Sequence, residues 1–230
     1  MSPDFDFSAF TAAVEKTAGR LLGEGRPEEN LALAARAVQE MAETVLAQNR
    51  RNEGHIACGP GCGHCCVVNV AVLQPEAMVI ADYLRRKLSI QKLERLKEKI
   101  EGIHRRVRWL DDDERLLLRQ PCAFLDGQKS CSIHPVRPLL CRGMNSTDPV
   151  TCRDAVTLHA LDEAPPVLVN LFQKTLFDQA FLGLARALKR TGGMVRSQKL
   201  TEAVHAALET PPTGHRNDRC DKMKLEERVL

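Results

Sequence analysis

Apolar residues recur at helical spacing along most of the chain. Phe7, Phe10, Val14, Ala18, Leu21 and Leu22 fall on one face of a helix, which the Gly-Glu-Gly-Arg-Pro run at 23–27 ends. Pro27 and Glu28 open a second helix through Leu31, Ala34, Val38, Met41, Val45 and Leu46, since proline at an early helical position forfeits no hydrogen bond. Their short connection predicts an antiparallel pair. A third helix starts at Pro75 and Glu76 and buries Ala77, Ile80, Ala81, Leu84 and Leu88. Ser89 caps a fourth, with Leu93, Leu96, Ile100, Ile103, Val107 and Leu110 on its inner face. The acidic run Asp111 to Glu114 suits the first turn of another, where carboxylates meet the positive end of the helix dipole, and Leu116 to Leu118 follow. Asp148 and Pro149 cap and open a short helix carrying Cys152. Val167, Leu171, Leu176, Leu182 and Leu188 mark a long helix ending by Gly192 and Gly193, and a last helix spans residues 198 to 208.

Two stretches break this period. Residues 67–73, VVNVAVL, read equally as a short strand or as an extended entry to the next helix. In residues 121–142, Cys122 to Leu125 and Cys131 to Ile133 flank an Asp-Gly loop and predict a small hairpin, and Pro135 and Pro138 stiffen the turn before Cys141. The expected fold is mainly α: a helical domain around a small, irregular, cysteine-rich metal-binding centre with one short hairpin. Its expected divisions are an N-terminal helical pair at 1–50, the cysteine region at 51–160, C-terminal helices at 161–210 packing on the same domain, and a disordered charged tail at 211–230 after Pro211 and Pro212.

Composition narrows the function classes. Lys and Arg total 33 against 30 Asp and Glu, a surplus of +3 that predicts neither a nucleic-acid nor a membrane partner and leaves a protein partner open. No apolar run reaches membrane-spanning length, and Asp4 and Asp6 stand where a secretory signal carries basic residues. The expected location is the cytoplasm. In that reducing compartment the nine cysteines are metal ligands or redox groups rather than disulfides, with Cys220 in the tail as the odd one out.

The cysteines fall into two groups. CGPGCGHCC at 58–66 supplies Cys58, Cys62, Cys65 and Cys66, on glycine-rich spacers that let a backbone wrap a point; Cys122, Cys131, Cys141 and Cys152 form the second. Adjacent Cys65 and Cys66 point in different directions in helix or strand, so two neighbouring metals or a larger cluster suit them better than one tetrahedral ion. Arg137 and Arg142 flank Cys141, where guanidinium groups can offset the charge of about −2 on a four-thiolate zinc and donate to sulfur. His64 and His134 are further candidates by proximity. Cys58, Cys62 and Cys65 also match the spacing of radical S-adenosylmethionine enzymes, but those need strand-helix repeats that this helical pattern does not predict.

CGPGCGHCC followed by PCAFLDGQKSCSIHPVRPLLCR resembles the YkgJ-type cysteine cluster family, described as zinc- or iron-chelating domains with a CxxCxxCC motif. Cys122, Phe124, Leu125, Cys131, Arg137, Pro138, Cys141 and Arg142 follow that family's second block in order, and the resemblance covers roughly residues 55–155. Three features depart from it: three residues separate Cys58 from Cys62, His134 stands where tyrosine is common, and Gly143-Met144 replaces an aromatic-Pro pair. The resemblance implies zinc or an iron-sulfur cluster as cofactor, at least structural and with a redox role open, and assigns no catalytic residue. Its alternative is an iron-sulfur-dependent protein lysine methyltransferase related to flagellin N-methylases, although no glycine-rich nucleotide loop follows a strand here. A structural zinc can contribute about 10–16 kcal/mol, as much as the whole stability of a typical domain.

Overall fold

The computed structural model describes residues 5–23, 27–49, 56–158, 164–193 and 195–210. In chain order these form α1 (Phe7–Gly23), α2 (Pro27–Gln48), β1 (Ala71–Val72), α3 (Gln74–Lys87), α4 (Ile90–Val107), α5 (Asp112–Leu118), α6 (Leu139–Gly143), α7 (Pro149–Leu158), α8 (Leu171–Arg190), β2 (Gln198–Lys199) and α9 (Leu200–Glu209). The mainly helical expectation holds. The tail from 211 onward, with Cys220, lies outside the described residues.

Two hydrophobic cores share α3. In the first, Phe10, Val14 and Ala18 of α1 meet Ala34, Ala35, Val38 and Ala42 of α2 and the Leu176, Phe177, Ala180, Leu184 face of α8. Small residues set the spacing here: a Cβ on Gly183 would stand 2.7 Å from Val14 Cγ1, so α1 and α8 touch nearly backbone to side chain. Accordingly α1 packs more extensively on α8 than on its sequence neighbour α2. In the second core, Ala77, Ile80, Ala81 and Leu84 of α3 meet Ile100, Ile103 and Val107 of α4 and the Leu200, Val204, Leu208 stripe of α9. Leu73 and Val79 face the first core while Val72 and Ile80 face the second. A helix used on two sides is buried nearly all round, as Pro75 through Ala81 are.

The irregular stretches resolve physically. Val67 and Val68 still belong to the turn that follows Cys65, whose O accepts from Val68 N–H at 3.3 Å; beyond it Ala71 and Val72 pair antiparallel with Lys199 and Gln198, with Leu200 N–H donating to Val70 O at 2.9 Å. The expected hairpin at 122–133 reduces to a single bridge, Leu125 to Cys131. Its loop is organised by Asp126, whose Oδ1 accepts from the N–H groups of Gln128 (2.9 Å) and Ser130 (2.8 Å), leaving no tight two-residue turn to propagate a ladder.

Helix ends differ from the sequence reading where caps intervene. Ser89 caps α4 as expected, whereas Asp111, expected in the first turn of α5, stands one residue before it as its cap, in a capping box with Glu114. However, α8 begins at Leu171, not Val167, because the Asn170 side chain accepts from Gln173 N–H at 2.9 Å. Its buried stripe is also rotated: Leu171 and Leu182 are exposed, and Phe177, Ala180 and Leu184 take the core. The last helix starts at Leu200 because Gln198 and Lys199 are committed to the β pair.

Candidate metal centre

CGPGCGHCC folds as two consecutive turns. Cys62 N–H donates to Gly59 O at 3.0 Å and Cys66 N–H to Gly63 O at 3.1 Å. Gly61 adopts φ 86°, the left-handed region that glycine enters without a Cβ penalty. Two bonds tie this loop to distant chain: Cys122 N–H donates to Cys66 O at 2.7 Å, and Ala57 N–H to Ser146 O at 2.9 Å. The Cys58 thiol lies 3.9 Å from that same Ser146 carbonyl.

The later cysteines arrive from both cores. Cys122 and Cys131 pack against the second core beside Ala123, Phe124 and Ile133. Cys141 sits in α6, anchored in the first core by Leu139, and Cys152 sits in α7. All eight are free thiols. Seven of them, every one but Cys152, border one cavity of about 460 Å³. Cys152 joins the group electrostatically through Cys62 and Cys65. Cys65 is the hub, since Cys58, Cys66, Cys131, Cys141 and Cys152 all feel its charge. The two sequence groups thus meet at one centre.

Burial pushes the thiols of Cys58, Cys122, Cys131, Cys141 and Cys152 up, because a thiolate away from water is unfavourable. Cys65 and Cys66 titrate as a pair: the hydrogen bond from Cys66 pulls Cys65 down to about 7, and the same bond raises Cys66. Arg137 also draws Cys65 down and lies near Cys131 and Cys141. Eight thiols with a nearby guanidinium form a donor set whose chemistry fits zinc or iron. They are not gathered into a finished cage: among the described residues, no three His, Cys, Asp or Glu side chains stand together as an ion would require.

The expectation for Arg142 needs correction. Its guanidinium donates to Arg137 O at 3.0 Å and Pro135 O at 2.8 Å and pairs with Glu43, so its hydrogen bonds brace the turn before Cys141 rather than sulfur. His134 lines the cavity, whereas His64 is not among its lining residues. Two residues escaped the sequence reading. Glu76 looked like a helix-opening acid and is wholly buried; Arg115, which the sequence did not single out, is 4% exposed on the cavity wall. Neither has a sequence signal beyond its charge, because helical phase alone does not reveal a second packing partner.

Fold and site define a helical cysteine-cluster protein. Residues 57–162, under half of the chain but including all eight cysteines, match the CxxCxxCC family model, described as "Putative zinc- or iron-chelating domain". The resemblance read from the two cysteine blocks therefore holds over that segment. Comparisons with curated proteins and with solved structures returned no match.

Proposed function

We propose that the eight cysteines bind zinc or an iron-sulfur cluster, and that the metal's role is structural, joining two hydrophobic cores through one centre. The observation that carries this reading is the convergence of thiols from the 58–66 loop, α6 and the 122–131 segment around one cavity, with Cys152 of α7 within electrostatic reach of Cys62 and Cys65. Cys58, Cys62, Cys65, Cys66, Cys122, Cys131, Cys141 and Cys152 would hold the metal, which would supply the positive charge that lets buried thiols ionise. Binding would then release protons and weaken at low pH. Free thiols at all eight positions suit a reducing compartment such as the cytoplasm. The methyltransferase alternative has no support in the fold or the family match.

Anaerobic purification followed by elemental analysis and a visible spectrum tests the reading. Stoichiometric zinc in colourless protein selects zinc; iron, sulfide and charge-transfer absorption select the cluster. Cys62→Ser and Cys141→Ser should each lower metal content and melting temperature. If both leave these unchanged, the shared centre is wrong.

A further inference from the structure

Helices α3 and α4 follow one another through Leu88 and Ser89, yet they hardly touch, and each packs instead on α9. The gap between them opens as a second cavity, of about 240 Å³, that no α9 residue lines. Tyr83, Leu84 and Leu88 form one wall, Leu96 the other, and Ala123 and Leu125 the floor. No cysteine borders it, and Leu125 is the one residue it shares with the cysteine-lined cavity. Lys87, Lys92 and Lys99 complete the lining, and all three are exposed. Among the described residues none of them pairs with an acid, although neighbouring cations do: Arg86 with Asp82, and Lys97 with Glu94 and Glu209. Lys99 donates to Leu125 O at 3.2 Å. The one acid in the wall, Asp126, is committed to the N–H groups of its own loop. Arg95, exposed three residues after Lys92 and four before Lys99, extends the basic row along α4.

Like charges gathered without counter-charge raise the local potential and attract an anionic partner. At about 240 Å³ the cavity is smaller than the sites that hold whole small molecules, about 300–1,000 Å³, and suits a single large apolar side chain. We propose that it docks an acidic segment of a partner protein, with one Phe or Leu side chain of that segment in the cavity and the flanking carboxylates on Lys87, Lys92 and Lys99. The apolar side chain supplies most of the affinity, since exposed ion pairs contribute little. The lysines select for an acidic partner and speed its arrival. Neither the proposed metal nor its ligands take part.

Fluorescence anisotropy tests this on the full-length protein as purified, with metal content measured on the same sample. The probe is a fluorescein-labelled peptide of Glu and Asp around a central Phe, compared with the same peptide carrying Ala in place of Phe. The Phe peptide should bind saturably and about tenfold or more tightly than the Ala peptide, the worth of burying one large apolar side chain, and its affinity should fall as salt rises. Lys87→Gln combined with Lys92→Gln, at exposed positions that line no part of the cysteine cavity, should weaken it about fivefold or more and leave metal content unchanged. Lys16→Gln combined with Lys189→Gln removes the same charge from exposed positions on α1 and α8 and should leave binding as it was. No saturable binding, equal binding of the two peptides, or an equal loss in both double variants overturns the proposal. So does lysine-dependent sedimentation with phosphatidylserine vesicles in the absence of peptide binding, which would assign the basic rim to a membrane surface. Peptide binding by a sample that carries no metal would count against the metal reading alone.

Discussion

Glu76 offers the sharpest test of the packing. It is 0% exposed at the junction of the two cores, and each carboxyl oxygen accepts one backbone N–H: Oε2 from Leu73 at 2.9 Å, Oε1 from Leu139 at 2.8 Å. Burial pushes its pKa from 4.5 up to about 7, against the pull of those two N–H groups and of Arg142. The native state therefore keeps the proton through a range where the unfolded chain has lost it. Stability from this group is fully present below pH 4.5 and is lost as pH rises through 7. The gap corresponds to about 3 kcal/mol. Urea unfolding of the parent and of Glu76→Gln, across pH 4.5 to 8 with metal content matched, isolates it, because other titrations cancel in the difference. The parent's stability relative to the variant should fall by about 3 kcal/mol over that range. The value at any single pH is less telling, since glutamine offers one carbonyl to two N–H donors while removing a buried charge. A difference that stays flat with pH would refute the assignment of a protonated, bridging carboxyl.

Other perturbations probe other parts of the fold. Gly183→Ala places a methyl 2.7 Å from Val14 Cγ1 and should cost about 1–3 kcal/mol in urea unfolding, partly recovered in combination with Val14→Ala. Asp111→Ala removes the α5 cap, with its Oδ1 accepting from Glu114 N–H at 2.8 Å, and should cost about 1 kcal/mol. Arg142→Met strips donors from Pro135 O and Arg137 O, while half-exposed Glu43 stays solvated; it should destabilise by about 1–3 kcal/mol and lower metal content, as read by unfolding and elemental analysis. Chelation under reducing conditions should lower the calorimetric melting temperature, and an unchanged value would remove the structural role of the metal.

The sequence made the helices legible because one-sided burial leaves a 3.6-residue stripe. Phe10, Val14 and Ala18, or Ile100, Ile103 and Val107, each face one partner, and the stripe names them. Legibility failed where an element serves two partners or where a cap decides the boundary. Helix α3 buries Met78 and Val79 as well as Ala77 and Ile80, so its period is blurred. The start of α8 depends on one side-chain bond from Asn170, a local competition that apolar spacing does not encode. The pairing of β1 with β2 joins segments 126 residues apart, and each strand is two residues long, too short for alternation to register. At the site, cysteine spacing pointed to the seven thiols that border one cavity, because the chemistry is rare and carried by residue type, though it did not show that Cys152 stands outside that wall. It did not show that Arg142 turns from sulfur to carbonyls, because that depends on Pro135, Arg137 and Glu43 all lying within reach.

The placement of the thiols gives the proposed metal a mechanical role that a self-contained knuckle would lack. Cys141 rides on α6, which packs on α8 in the first core; Cys122 and Cys131 flank Phe124 in the second. The 58–66 loop belongs to neither core and is stitched to Cys122 on one side and to Ser146 on the other. Besides this centre, the cores are linked by the shared helix α3, which meets α2 in one and α9 in the other, and by the Glu76 bond to Leu139. A cation held by thiolates from both sides would therefore couple elements that hydrophobic burial alone leaves in separate clusters. The loop's glycines fit that purpose: Gly61 supplies a left-handed turn, and Gly63 lets Leu125 approach to 3.1 Å of where a Cβ would stand. Both bring the first four sulfurs to the seam instead of closing them on themselves.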